Sequence, residues 1–408
     1  MTSFGMVTFY SPVSWTDADH TLSGIIAPPR SKLLQLDDLP ISRLSIGPGQ
    51  IFADLKVNEA YNDNLVLIGM EEIDSFVTTI SPHLGYAISG RKKQFVIDYT
   101  HQTGLHTGSS VDNYHDNRLR AGFFYDPTRK LSAEVHAEYS ESHDGRGEGR
   151  AEAGTGTLQD SLDEFHRYGI EGRLAYGRKD ARGRLELDLG YKSKHYDTNR
   201  EFTVLRERDT FRSTGRFFYR VGPKTRALLQ VGLEDFDYVD AAQLDGTTTR
   251  YLLGVDWERT YKTTGYFKLG FTNRTFDADI REDFTGFTWE LGTIWRPRSY
   301  STVRLSTINE ITETNGTGDA IDSTITRLSW VHHWKQRLNT DVSALYAQDD
   351  FSDTNREDNI YSFELRVNYD MRRWLNLSAG YRRTDRQSND NTFDFDQNVF
   401  DISAIFSL

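Results

Sequence analysis

From about residue 50 onward, apolar and polar residues alternate one for one along the chain, segment after segment. Leu131, Ala133, Val135, Ala137 and Tyr139 are separated by Ser132, Glu134, His136 and Glu138. Leu185, Leu187, Leu189 and Tyr191 alternate with Glu186, Asp188 and Gly190. Tyr361, Phe363, Leu365, Val367 and Tyr369 alternate with Ser362, Glu364, Arg366 and Asn368. A helix would scatter such a set around its circumference, whereas a strand places it on one face. The pattern predicts strands with one apolar and one polar side.

Eighteen such segments are predicted, centred near residues 55, 81, 97, 120, 135, 171, 188, 215, 230, 253, 269, 290, 305, 328, 342, 364, 378 and 402. Weak patterning near 55 and 305 leaves 16 as the alternative count. Connections alternate between short (Asp126–Arg129, Val221–Thr225, Asp370–Arg373) and long (Ser140–Glu164, Lys192–Asp209, Gln348–Asp358). Short turns on one side and long polar loops on the other predict an all-β fold: a transmembrane up-and-down antiparallel barrel with periplasmic turns and extracellular loops.

Aromatics at the strand ends strengthen that expectation. Tyr125, Tyr176, Tyr219, Trp257, Trp295, Trp334 and Tyr369 close strands on the turn side; Tyr139, Tyr191, Tyr346 and Tyr381 close them on the loop side. Amphipathic rings belong at the two headgroup levels of a bilayer, so these residues are expected to form two girdles. Each segment is also long enough, since a tilted spanning strand needs roughly 9–11 residues.

Composition narrows the class further. The 408 residues are 37% hydrophobic yet 13% aromatic, with a mean hydropathy of -0.61. Disordered chains are poor in aromatics, so these values argue for a folded protein. No run approaches the ~18 apolar residues of a membrane helix. A net charge of -12 and a pI near 5.4 argue against a nucleic-acid partner. The absence of Cys removes disulfides, thiolate metal sites and cysteine nucleophiles.

Residues 1–49 lack the alternation. Met1–Tyr10 does not read as a secretory leader, and the Pro-bearing stretch to Gly49 is expected to be a periplasmic tail or plug-like segment ahead of a barrel at 50–408.

Several motifs then resemble the putative β-barrel porin type 2 family. Val57 to Leu65 is similar to its acidic, aromatic opening strand; Ile80-Ser81-Pro82-His83-Leu84 and Phe95-Val96-Ile97-Asp98-Tyr99 resemble its second and third strands. The resemblance extends in pattern and length over about residues 50–408. It implies a bacterial outer-membrane location and, through members encoded with exopolysaccharide and capsule genes (EpsL-like and Wzp-like proteins), a polysaccharide-secretion context. It implies no catalytic residue.

Residues of opposite parity are expected to line the lumen: Glu134, Glu138, Arg173, Glu186, Arg216, Arg220, Arg226, Asp256, Glu290, Arg327, Glu364 and Arg366. Mixed-sign walls suit hydrated, hydroxyl-rich passengers. No histidine sits in a catalytic or metal-ligating setting: His332 is expected at the turn-side girdle, and His101, His106 and His115 at loop edges. Neither the glycines of 145–156 nor the acidic stretch 349–358 forms a defined ligand motif. No enzyme, metal or cofactor is expected. Export of an exopolysaccharide or capsule, with a periplasmic export protein as partner, is the leading expectation; a general or solute-selective porin is the alternative, and a loop-based enzyme or adhesin the third. Lipid and lipopolysaccharide are the expected surroundings.

Overall fold

In a bilayer every strand edge must find a partner, and the chain meets this demand by closing on itself. The computed structural model describes residues 44–69, 72–146, 161–178, 180–260, 262–312, 321–352 and 354–408. A three-residue strand, β1 (Leu44–Ile46), precedes eighteen long ones. These begin with β2 (Gly49–Asn62), β3 (Ser75–Ser89), β4 (Lys93–His106), β5 (Tyr114–Tyr125), β6 (Leu131–His143) and β7 (Glu164–Tyr176). They continue with β8 (Gly183–Tyr196), β9 (Arg208–Arg220), β10 (Thr225–Tyr238), β11 (Gly246–Thr260), β12 (Thr263–Phe276) and β13 (Phe284–Arg298). The last six are β14 (Ser301–Thr312), β15 (Ile321–Lys335), β16 (Leu338–Phe351), β17 (Glu357–Arg372), β18 (Leu375–Ser388) and β19 (Phe395–Ser407). Each pairs antiparallel with its sequence neighbours, and β19 returns to β2, from Val399 opposite Asn62 to Ser407 opposite Asp54. The result is a closed 18-stranded antiparallel barrel.

All eighteen predicted segments are strands, including the weakly patterned ones near 55 and 305. The sequence-based boundary at 50 falls a few residues late. Gly47 adopts φ +57°, a left-handed turn conformation open to glycine, and folds β1 back onto Gly49–Ile51. The Gly-Pro-Gly stretch is thus a hairpin at the base of the wall. The expected tail or plug over residues 1–43 lies outside the described residues, as do the glycines of 147–156 and Asp353.

The register puts the main apolar set of the strands outside, while Ile308, Ile325, Ala347 and Ile360 form a smaller apolar cluster on the inner face. Leu253, Phe271, Ile402 and Leu365 are exposed, as are most of their equivalents around the wall. In water a continuous apolar belt of this kind would drive aggregation; in lipid it is the required surface. Connections at the short end include 126–130, 221–224 and 336–337, whereas 144–163 and 197–207 span the other end, the latter carrying the one-turn helix Arg200–Thr203. Aromatic rings laid over glycines tighten the wall. A Cβ on Gly85 would lie only 2.1 Å from the Phe52 ring on the neighbouring strand, so this contact requires glycine.

A facing test follows directly. Leu365→Arg places a charge near the bilayer midplane and should cost roughly 2–4 kcal/mol, whereas Ser362→Arg on the inner face of the same strand should assemble normally. Heat-modifiable gel migration reads assembly, and equal behaviour of the two variants would contradict the register.

Candidate lumen wall

Every residue expected to face inward lies on the face opposite the apolar belt, because directly paired residues share a face and the register carries that parity around the wall. Glu134 faces Arg173, which faces Asp188; Glu186 faces Arg216, which faces Gln230. Arg220, Arg226 and Asp256 form one inward row, Glu290 faces Lys268, and Arg327 lies between Ser306 and Leu345. Glu138 faces Arg120, Glu364 faces Ser343 and Arg366 faces Asp341.

The charges join into long networks. Arg173 contacts Asp188 at 2.6 Å, and Asp188 also receives Arg216. Arg216 donates to Gln230 at 3.3 Å, and Lys268 donates to the same amide oxygen at 3.1 Å. Lys268 bridges Glu290 at 2.5 Å, and Arg250 spans Glu290 (3.6 Å) and Glu310 (3.7 Å). One chain of contacts thereby runs from β7 to β14. Nearby, Arg226 forks onto Asp256 and stacks on Phe218 at 4.7 Å. Arg184 meets Glu186 at 2.7 Å, and Arg167 meets Glu138 at 3.2 Å. On the far wall Arg366 clamps Asp401 with two bonds (2.7 and 2.8 Å) and touches Glu364 at 3.3 Å. His83 lies between Asp54 (2.8 Å) and Asp98 (3.5 Å), which Arg120 also holds.

Lys268, Arg250, Glu310, Asp98, Arg304 and Arg382 were not singled out from sequence. Each obeys the same parity rule. Lys268 and Asp98 are single charges inside otherwise apolar runs, and Glu310 sits on the weakly patterned β14. Lys268 and Glu290 are each only 2% exposed, although both belong to the inner face.

The residues expected to form the girdles lie on the outer, apolar face near the two ends of the strands. Tyr125, Tyr139, Tyr176, Tyr219, Trp295, Trp334 and Tyr369 are exposed; Tyr191, Trp257, Tyr346 and Tyr381 are half-buried. At the loop side a repeated geometry appears. Tyr139 donates to Glu141 (3.0 Å), Tyr346 to Asn359 (2.8 Å) and Tyr381 to Asn398 (2.8 Å), as Tyr99 does to Asn117 (2.7 Å). Each hydroxyl points to a polar acceptor while its ring stays with the apolar belt, as a water–lipid boundary demands. At the turn side His332 packs between Trp330 (5.2 Å) and Trp334 (4.3 Å).

The longest loop is tethered at its base. Asp144 receives Lys194 (3.0 Å), Arg206 (2.7 Å) and the Tyr196 hydroxyl (2.8 Å). Burial alone would raise its carboxyl, but the two cations and the hydroxyl outweigh it and hold the group down at about 2. Arg146 adds a buried bridge to Asp112 at 2.5 Å.

The chain belongs to the family described as putative β-barrel porin 2, whose model matches residues 45–406. It is a bacterial outer-membrane β-barrel of the porin type. No curated protein matches it. Among solved structures, a BenF-like porin from Pseudomonas fluorescens Pf-5 is similar at 13% identity and TM-score 0.50, with 88% of this chain and 99% of that chain covered. Pseudomonas aeruginosa OpdK with vanillate is similar at 11% identity and TM-score 0.49, over 88% and 99%. Acinetobacter baumannii OccAB4 is similar at 12% identity and TM-score 0.49, over 89% and 99%.

Two outcomes test this wall. Lys268→Met leaves buried Glu290 with only the longer contact to Arg250 and should cost about 3–5 kcal/mol in urea unfolding; adding Glu290→Gln should recover most of it. A double variant as unstable as the single would contradict the pairing. The Asp144 carboxyl lies below its unfolded value of about 3.9, so its stabilisation is complete above that pH and is lost as pH falls towards 2. Pepsin cleavage within residues 144–163, relative to the other loops, should rise from pH 4 to pH 2 in the parent. In Asp144→Asn it should already be high at pH 4 and stay flat.

Proposed function

We propose that this protein is a diffusion channel for small hydrophilic solutes rather than an enzyme. The observation that carries the reading is the charged inner face of a closed barrel: from β7 to β14 a continuous chain of ionic and amide contacts crosses the inward side, with apolar side chains such as Leu228, Leu252 and Ile308 set between them. Such a surface welcomes hydrated solutes and disfavours apolar ones. Eighteen strands lie in the range where barrels enclose aqueous channels instead of side-chain-filled cores. The inward charges serve as lumen-lining groups under this reading, and their mutual pairing keeps the wall hydrated without strong binding of any one passenger. The porin family and the porin fold support it.

Polysaccharide export is the second reading, favoured by the likeness of Val57–Leu65 and Ile80–Leu84 to barrels of exopolysaccharide clusters. It would require a periplasmic export protein as partner. In either case the tyrosine girdle would meet outer-leaflet lipopolysaccharide through hydroxyls already aimed at polar acceptors.

Purified barrel in planar bilayers should conduct ions and admit small sugars in liposome swelling. Deletion of the gene should slow uptake of small solutes and leave surface polysaccharide intact. Loss of surface polysaccharide with unchanged solute permeability would overturn the diffusion reading in favour of export.

A further inference from the structure

The inner wall is uneven in how its cations are used. From β7 to β13 most of the arginines and lysines named above rest on carboxylates. On β14 and β18 two do not: among the described residues Arg304 and Arg382 make no ion pair, and Arg304 Nη1 and Arg382 Nε are buried without a hydrogen-bond partner. Both side chains are only half-buried, so the remaining nitrogens of each guanidinium stay open on the inner face, where an anionic partner would form charge-assisted hydrogen bonds.

The register places these two arginines in one row. Arg304 faces Ser329, Ser329 faces Ser343, Ser343 faces Glu364, and Glu364 faces Arg382. A cation therefore stands at each end of a strip floored by two small hydroxyls and one carboxylate. The adjoining row contributes Asp341 beside Arg366, and Arg366 is already engaged by Asp401 and Glu364. Four strand spacings of ~4.8 Å give a strip about 19 Å long, enough for several sugar rings.

We propose that this strip binds a short acidic oligosaccharide, with its carboxylates on Arg304 and Arg382 and its hydroxyls on Ser329, Ser343, Asp341 and Glu364. The donor set matches each part of such a ligand. Planar guanidinium groups take carboxylates in forked pairs, and carboxylates and serines exchange bonds with sugar hydroxyls. A neutral sugar would leave both arginines unanswered, whereas a simple inorganic anion would leave the hydroxyl floor unused. The strip runs perpendicular to the strands and so lies oblique to the barrel axis, along the path of a solute moving through. The assignment rests on the reading of the barrel as a solute channel and narrows its substrate class.

The test uses full-length barrel in detergent, with tetragalacturonate as acidic probe and maltotetraose as neutral control. Saturation-transfer NMR should show tetragalacturonate binding at least about tenfold more tightly than maltotetraose. Arg304→Ala with Arg382→Ala should weaken it about tenfold or more without changing maltotetraose binding. Heat-modifiable migration verifies that the variant is folded, and if that variant misassembles, Arg304→Gln with Arg382→Gln preserves bulk and hydrogen bonding. Ser329→Ala with Ser343→Ala should weaken both ligands modestly. Equal binding of the two probes, or tetragalacturonate binding untouched by loss of both arginines, would overturn the proposal. A barrel that binds tetragalacturonate through these arginines yet passes no ions would overturn the channel reading and leave the site standing. Conduction without such binding would do the reverse.

Discussion

Backbone hydrogen bonding in a medium without water is the constraint on which the rest of this structure depends. An unpaired strand edge facing lipid costs several kcal/mol per polar group, so the chain has to close. Closure between β2 and β19 fixes the register of every strand between them, and the register fixes parity. Parity in turn sends Leu365 to lipid and Glu364 inward, and it lines up Arg173, Asp188, Arg216 and Lys268 on one surface. The charged wall is therefore a consequence of closure together with a two-residue repeat.

The inward charges also show why such a wall is stable. A lone lysine at the position of Lys268 would be forbiddingly expensive to bury, but Glu290 and the Gln230 amide share its protons. Arg250 then links that pair to Glu310, so each charge answers more than one neighbour. The same logic operates outside the membrane at Asp144, where two cations and a tyrosine hydroxyl anchor the root of the longest loop. Arg304 and Arg382 stand outside this pairing, each with one buried nitrogen that has no hydrogen-bond partner.

Much of this was legible in the sequence because period-two alternation is a local signal. Leu131 to Tyr139 or Tyr361 to Tyr369 declares a strand, its two faces and its girdle residue without reference to any other segment. The strand count survived weak patterning on β14 because turns and loops alternate so regularly. Less could be read of the wall's chemistry. Which charge meets which depends on register and tilt, and no local pattern reveals that Arg250 on β11 reaches Glu310 on β14. Lys268 reads as an interruption in an apolar run until its parity is compared with that of Glu290. The base of the barrel was less legible: Gly47-Pro48-Gly49 has the composition of a linker, and only the pairing of Leu44–Ile46 with Gly49–Ile51 turns it into a hairpin.

The central claim is closure in a defined register, and the seam tests it most directly. The natural chain has no cysteine, so introduced pairs report without interference. Ser403 and Asn58 are direct partners across β19 and β2, both on the inner face. Ser403→Cys with Asn58→Cys should oxidise to an intramolecular disulfide in intact outer membranes, since directly opposed Cα atoms fall within the bridging range of about 4.4–6.8 Å. Ser403→Cys with Val57→Cys, which points the second thiol to lipid, should not. Efficient cross-linking of the second pair and none of the first would mean a slipped seam, and failure of both would mean an open sheet; either result contradicts the account.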